Sequence, residues 1–171
     1  MNTLKRSGFL IEDTGELEDR VGVEILKEPR MLIDSFDLEQ YNFVALFQYM
    51  IGNVDWRVTP FAKNAKVMKR REAEKYQIIP YDFDFSGLVD VSYMPVAEHL
   101  GQRTARQRIF IGHISQQKDL TTNYKRYHAK KEELLNYIDN FELLTKSSRK
   151  NIKKYIDSFY KDIADGVVDT I

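Results

Sequence analysis

At 171 residues, with 43% hydrophobic and 30% charged side chains, the chain is long enough to bury one core and has the composition of a soluble globular domain. Its 26 basic and 26 acidic residues cancel, so no global charge draws it to nucleic acid or an anionic membrane, and neither is expected as a partner. Cysteine is absent, which excludes disulfides, thiolate metal sites and thiol nucleophiles and leaves oxygen or histidine to hold any metal.

In chain order, Gly8-Phe9-Leu10-Ile11-Glu12-Asp13 reads as a short apolar strand ending in two acids, with Thr14-Gly15 as a turn. No basic, apolar and small-residue leader precedes it, and no apolar run approaches the roughly 20 residues of a membrane span, so a cytoplasmic location is expected. Residues 17–32 read as a short helix plus a loop, because Gly22 and Pro29 interrupt any longer element. Ser35 or Asp37 caps a helix whose positions Leu38, Tyr41, Val44, Phe47 or Gln48, and Ile51 recur at three-to-four spacing as far as Gly52-Asn53. That helix delivers a loop, 53–64, containing Asp55, Trp56 and Pro60.

Residues 65–69 alternate apolar and basic side chains with strand period, and 76–81 form a second strand that runs out into Asp82-Phe83-Asp84-Phe85-Ser86-Gly87. Pairing of the two as a hairpin places Asn64, just before the first, beside Asp82, just after the second. Further on, 103–111 reads as a short basic helical element, and 125–141 and 147–163 as amphipathic scaffold helices. The basic stretches 57–75 and 118–131 read as solvated faces. The expected fold is one α+β domain, mainly α-helical, with a small β-hairpin carrying an acidic loop.

Carboxylates and amide oxygens on a loop after a strand suit a hard cation, since Mg²⁺ or Mn²⁺ keeps waters and substrate phosphates in its shell. Asp82 and Asp84 supply the carboxylates, Asn64 and Asn53 neutral oxygens, and Asp55 stands where it can accept a proton from a hydroxyl. The same residue types are also ordinary turn formers, and Trp56, Phe83 and Phe85 read as core anchors. His99, His113 and His128 are scattered and pair with no acid at ligand spacing. Neither a Gly-x-Ser-x-Gly elbow nor a phosphate-loop signature is present.

The string Phe47-Gln48-Tyr49-Met50-Ile51-Gly52-Asn53-Val54-Asp55-Trp56, then Lys63-Asn64, then Ile79-Pro80-Tyr81-Asp82-Phe83-Asp84-Phe85-Ser86-Gly87, resembles uncharacterised bacterial proteins related to the CotH and HipA kinase-like families. The likeness is at the level of motifs and covers mainly residues 9–92. It implies the C-lobe of an atypical kinase: Asp55 as the catalytic-loop aspartate, Asn64 as the metal asparagine and Asp82, with Asp84 as a competing alignment, as the metal aspartate. Asp55 and Asn64 are nine positions apart, where most kinases have about five, so a longer loop is implied. Residues 1–13 correspond to the last N-lobe strand and hinge, with Glu12, Asp13 and Asn53 towards the nucleotide, and 14–171 to the C-lobe.

Nothing resembling the glycine-rich loop or the strand lysine of a nucleotide lobe stands before residue 9. The resemblance therefore implies a truncated, ATP- and Mg²⁺-dependent phosphotransferase lobe, inactive alone, whose partner is a separate N-lobe chain or a second copy. A non-catalytic binding or scaffold module and a metal-dependent phosphoesterase are the alternatives.

Overall fold

The computed structural model describes residues 10–27, 30–113 and 117–166. In chain order it contains α1 (Thr14–Val21), β1 (Val23–Ile25), α2 (Leu38–Ile51), β2 (Ala65–Arg70), β3 (Gln77–Pro80), α3 (Gln117–Ala129), α4 (Lys131–Asn140) and α5 (Lys146–Ala164), with single 3-10 turns at Ile33–Ser35 and Glu98–Leu100. This is an α+β fold, five described helices around one small antiparallel sheet of order β1-β2-β3.

Helix α2 is the axis of the molecule. Asp37 starts it by accepting a hydrogen bond from the Gln40 N–H at 3.2 Å, and Gly52 stops it with a left-handed φ of 66°, its N–H returning to the Gln48 and Tyr49 carbonyls. Nine of its 14 residues are buried, on all faces, as expected of a helix that other elements surround. On one side Gln40 both accepts from Ile78 N–H (3.0 Å) and donates to Ile78 C=O (2.8 Å), so the free edge of β3 is satisfied by a side chain rather than by another strand. On the other side Phe159 of α5 packs between Tyr49 of α2 and Tyr127 of α3, at ring separations of 6.1 and 6.2 Å.

The expected hairpin forms, in the register Ala65↔Pro80, Lys66↔Ile79 and Val67↔Ile78, and gains a third strand through Val23↔Arg70. That third strand has only three residues, too few for an alternation to be visible in the sequence.

Three expectations are corrected. Residues 10–13 are not a strand, and Gly8 and Phe9 lie outside the described residues; Asp13 instead caps α1, accepting from Gly15 N–H at 2.8 Å. Residues 103–111 are not helical, because side chains take the backbone groups that a helix would pair. Buried Gln102 accepts from Ala97 N–H at 2.8 Å and donates to Gln107 C=O at 2.9 Å, and the Gln107 side chain accepts from Arg103 N–H at 2.7 Å. The helix expected over 125–141 is two, α3 and α4, broken at Lys130 (φ −102°, ψ 3°); the apolar spacing of Tyr127, Leu134 and Ile138 continues across the break and hides it. No described helix is long and apolar enough to cross a membrane.

Candidate functional site

The ladder of the hairpin extends one bond past its named strands, Tyr81 N–H donating to Asn64 C=O at 3.0 Å, so Asn64 and Asp82 leave the sheet side by side. Both take left-handed backbones, φ 50° and 59°, a conformation that Asn and Asp tolerate better than other side-chain-bearing residues. The chain thus turns sharply at both ends of the hairpin mouth. Partial desolvation, then the neighbouring Asp84 carboxylate and, more weakly, Asp55 hold the Asp82 carboxyl above its ordinary value, although the residue is exposed. Asp82 therefore lies within the field of both the Asp84 and the Asp55 carboxylates.

Asp55 is fixed by a chain of amides. Gln48, on the last turn of α2, accepts from Asn53 Nδ2 at 3.1 Å, and Asn53 in turn accepts from Asp55 N–H at 2.9 Å; both amides are fully buried. Asn64 Nδ2 donates to the Asp55 carbonyl (2.8 Å) and to its Oδ2 (3.0 Å), while Lys63 Nζ forms an ion pair with Oδ1. Arg57 and Lys63 exchange backbone hydrogen bonds at 3.1 and 2.9 Å, closing the loop into a small hairpin that aims Lys63 back at Asp55.

The acidic turn is stitched to the same loop. Gly87 N–H donates to Gly52 C=O at 3.0 Å, Leu88 N–H to Ile51 C=O at 2.9 Å, and Asn53 bridges Ser86. Tyr155 of α5 inserts its hydroxyl into this seam and donates to Arg106 C=O at 3.0 Å. A Cβ at Gly52 would lie 1.9 Å from that hydroxyl oxygen and one at Gly87 2.4 Å from it, so both loops meet at glycines because only glycine fits. The Arg106 and Arg108 guanidinium carbons stand 4.7 and 3.9 Å from the centre of the Tyr155 ring.

Two cavities open beside the cluster. One, of about 530 Å³, is lined by Asp55, Arg57 and Lys63 and by residues of the 94–100 segment. The second, of about 480 Å³, is lined by Ile25, Ala65 and Val67 together with Lys27, Arg30 and Lys66, and reaches the acidic turn through Tyr81.

Of the residues expected to form a site, Asn53, Asp55, Asn64, Asp82 and Asp84 are brought together. Glu12 and Asp13 are not: Glu12 pairs with Arg20 at 2.6 Å, Asp13 caps α1, and among the described residues neither has a polar contact with the cluster. Asp13 does precede Thr14, which lines the second cavity and accepts from Lys66 Nζ at 2.6 Å. Trp56 and Phe83 are core anchors, against Tyr41 (5.9 Å) and Phe47 (5.5 Å), whereas Phe85 lines the first cavity. Among the described residues no group of three or more His, Asp or Glu side chains forms a preformed metal cage. The donor set still suits Mg²⁺, which binds through one or two carboxylates and retains waters and phosphate oxygens, and the mutual repulsion at Asp82 is what a cation would relieve.

Sequence reasoning missed Lys63, Gln48 and Tyr155. Lys63 stood in the quoted motif without a role, Gln48 passed for a position on an apolar stripe, and Tyr155 looked like any core aromatic on α5. Comparison with family models, with curated proteins and with solved structures finds no match to this chain.

Proposed function

We propose that the chain is a kinase-like C-lobe, related to ATP- and Mg²⁺-dependent phosphotransferases. The observation that carries this reading is the convergence of Asp55, Asn64, Asp82 and Asp84 at one hairpin mouth, on two loops sewn together through Gly52 and Gly87. Asp82 and Asp84, with the oxygen of Asn64, would hold Mg²⁺, which supplies neutralisation of phosphate charge when bound. The second cavity, with the exposed Phe61 ring in its lining, offers an apolar surface to a nucleotide base and Lys66 to its phosphates.

In the transfer, the acceptor oxygen forms a bond to the terminal phosphorus of ATP. The bond from that phosphorus to the bridging oxygen breaks, its electron pair leaving with ADP, and the acceptor proton passes to a carboxylate oxygen of Asp55. Asn53 and Asn64 hold Asp55 in place for this, Asn64 on one carboxylate oxygen and Lys63 on the other.

Measuring ATP binding with and without Mg²⁺, on the chain and on Asp82→Asn, tests the assignment. Metal-dependent binding lost in the variant is expected; equal, metal-independent signals would sink it.

A second reading, a non-catalytic binding or scaffold module, is favoured by Leu10, Ile11 and Leu32, which are 100%, 83% and 78% exposed. On that reading a second copy or a separate N-lobe chain covers them. Size-exclusion chromatography with light scattering separates the two: a stable oligomer without metal-dependent nucleotide binding selects the scaffold, a monomer with it the phosphotransferase lobe.

A further inference from the structure

The cavity beside Asp55 is built differently from the one assigned to the nucleotide. At about 530 Å³ it falls in the size range of small-molecule sites rather than of an extended peptide groove. Its polar lining is Asp55, Arg57, Lys63 and His99, the first three on one loop closed by the Arg57–Lys63 bridge; the rest is mainly apolar, with Phe85 from the acidic turn and Met94 among its members. Asp55 and Lys63 neutralise one another as an ion pair. Arg57 is exposed and, among the described residues, its guanidinium makes no ion pair with the protein, so the wall carries one uncompensated positive charge.

We propose that this cavity is the acceptor pocket and that it takes a small amphipathic alcohol: a hydroxyl directed at Asp55, an apolar body against Phe85 and Met94, and one anionic group on Arg57. The proposal rests on the phosphotransferase reading above and adds the chemical class of the acceptor to it. A neutral alcohol leaves Arg57 unused, and a polar sugar leaves the apolar wall in contact with hydroxyls that it cannot pair. The group-transfer step is the one already written, with ATP as the phosphoryl donor and the acceptor hydroxyl as the nucleophile; the anionic group takes no part beyond orientation.

The test uses the full chain without nucleotide or metal, titrated with 4-(hydroxymethyl)benzoate and followed by amide NMR shifts. Benzyl alcohol, which lacks the carboxylate, and a serine-containing peptide serve as competitors for the assignment. The expected result is saturable binding with shifts at residues 54–57 and 94–100, weakened about fivefold or more by Arg57→Gln, by Val96→Trp, which fills the cavity, and by removal of the carboxylate from the probe. Arg57 is exposed and Val96 38% exposed, so neither substitution opens the core, and a far-UV circular dichroism spectrum confirms the fold in each case. No saturable binding, binding that survives both substitutions, or tighter binding of the peptide overturns the proposal. Absence of probe binding to the unsubstituted chain, with its Mg²⁺-dependent ATP binding intact, overturns the acceptor pocket alone. Probe binding without any Mg²⁺-dependent ATP binding overturns the phosphotransferase reading and, with it, the acceptor role.

Discussion

Asp82 is the residue where conformation and charge meet. It occupies a left-handed backbone position and feels the Asp84 and Asp55 carboxylates, which raise its carboxyl above the ordinary value after partial desolvation. The native state therefore binds a proton there more tightly than the unfolded chain does. With more protons bound when folded than unfolded, stability contributed by this group is present below the unfolded value, near 4, and is lost as pH rises through the raised folded value. Asp82→Asn keeps the left-handed preference and removes the charge. It should raise the thermal midpoint at pH 7 and have little effect near pH 3; the gain is small because solvent screens an exposed group. Melting curves at the two pH values check this, and an equal gain at both would refer the effect to the backbone. That two acids and an asparagine converge was legible from the order strand, turn, strand, loop. That Lys63 caps Asp55 was not, because it depends on the 57–63 loop folding back on itself, and sequence gives no register for seven residues joined only by a bridge at their ends.

At the scale of elements, helix α2 was readable almost to the residue, since Asp37 and Gly52 supply the start and stop signals and the apolar spacing fills the interval. Asp37→Ala removes the side-chain acceptor for Gln40 N–H and should cost about 1 kcal/mol in urea denaturation. The seam between the two loops was invisible, because it is made by a helix more than sixty residues later in the chain. Its consequence is testable. Gly87→Ala drives a methyl group against the Tyr155 hydroxyl and should destabilise by about 1–3 kcal/mol. Tyr155→Phe withdraws that oxygen, at the expense of its hydrogen bond to Arg106 C=O, so the double variant should be more stable than the sum of the two single losses predicts. Strict additivity would remove Tyr155 from the seam. The segment 103–111 escaped because a helix period in the side chains does not reveal that the backbone groups beneath them are paired to Gln102 and Gln107, and the break at Lys130 escaped because the apolar spacing runs on across it.

For the whole molecule the question is whether the acidic mouth and the cavity beside it act together. The fold sets them at one end of the hairpin, Asn64 and Asp82 at the mouth and Ala65, Lys66 and Tyr81 beside them in the cavity lining, so under the proposed function a nucleotide held by the cation would lie along the Lys66 side of β2. Under the proposed function, Mg²⁺ with ATP should stabilise the chain against heat, by about 2.7 kcal/mol when the free complex is at 100 times its dissociation constant, and chelation of the metal should abolish most of the gain. Hydrogen exchange gives the location: protection should concentrate on β2, β3 and residues 81–87, where backbone amides line the mouth, and spare α4 and α5. Stabilisation that persists in chelator, or protection centred on the cationic face of α5 around Lys150 and Lys154, would mean that the phosphates are held by surface lysines alone and that the hairpin mouth is a turn with no cation to bind.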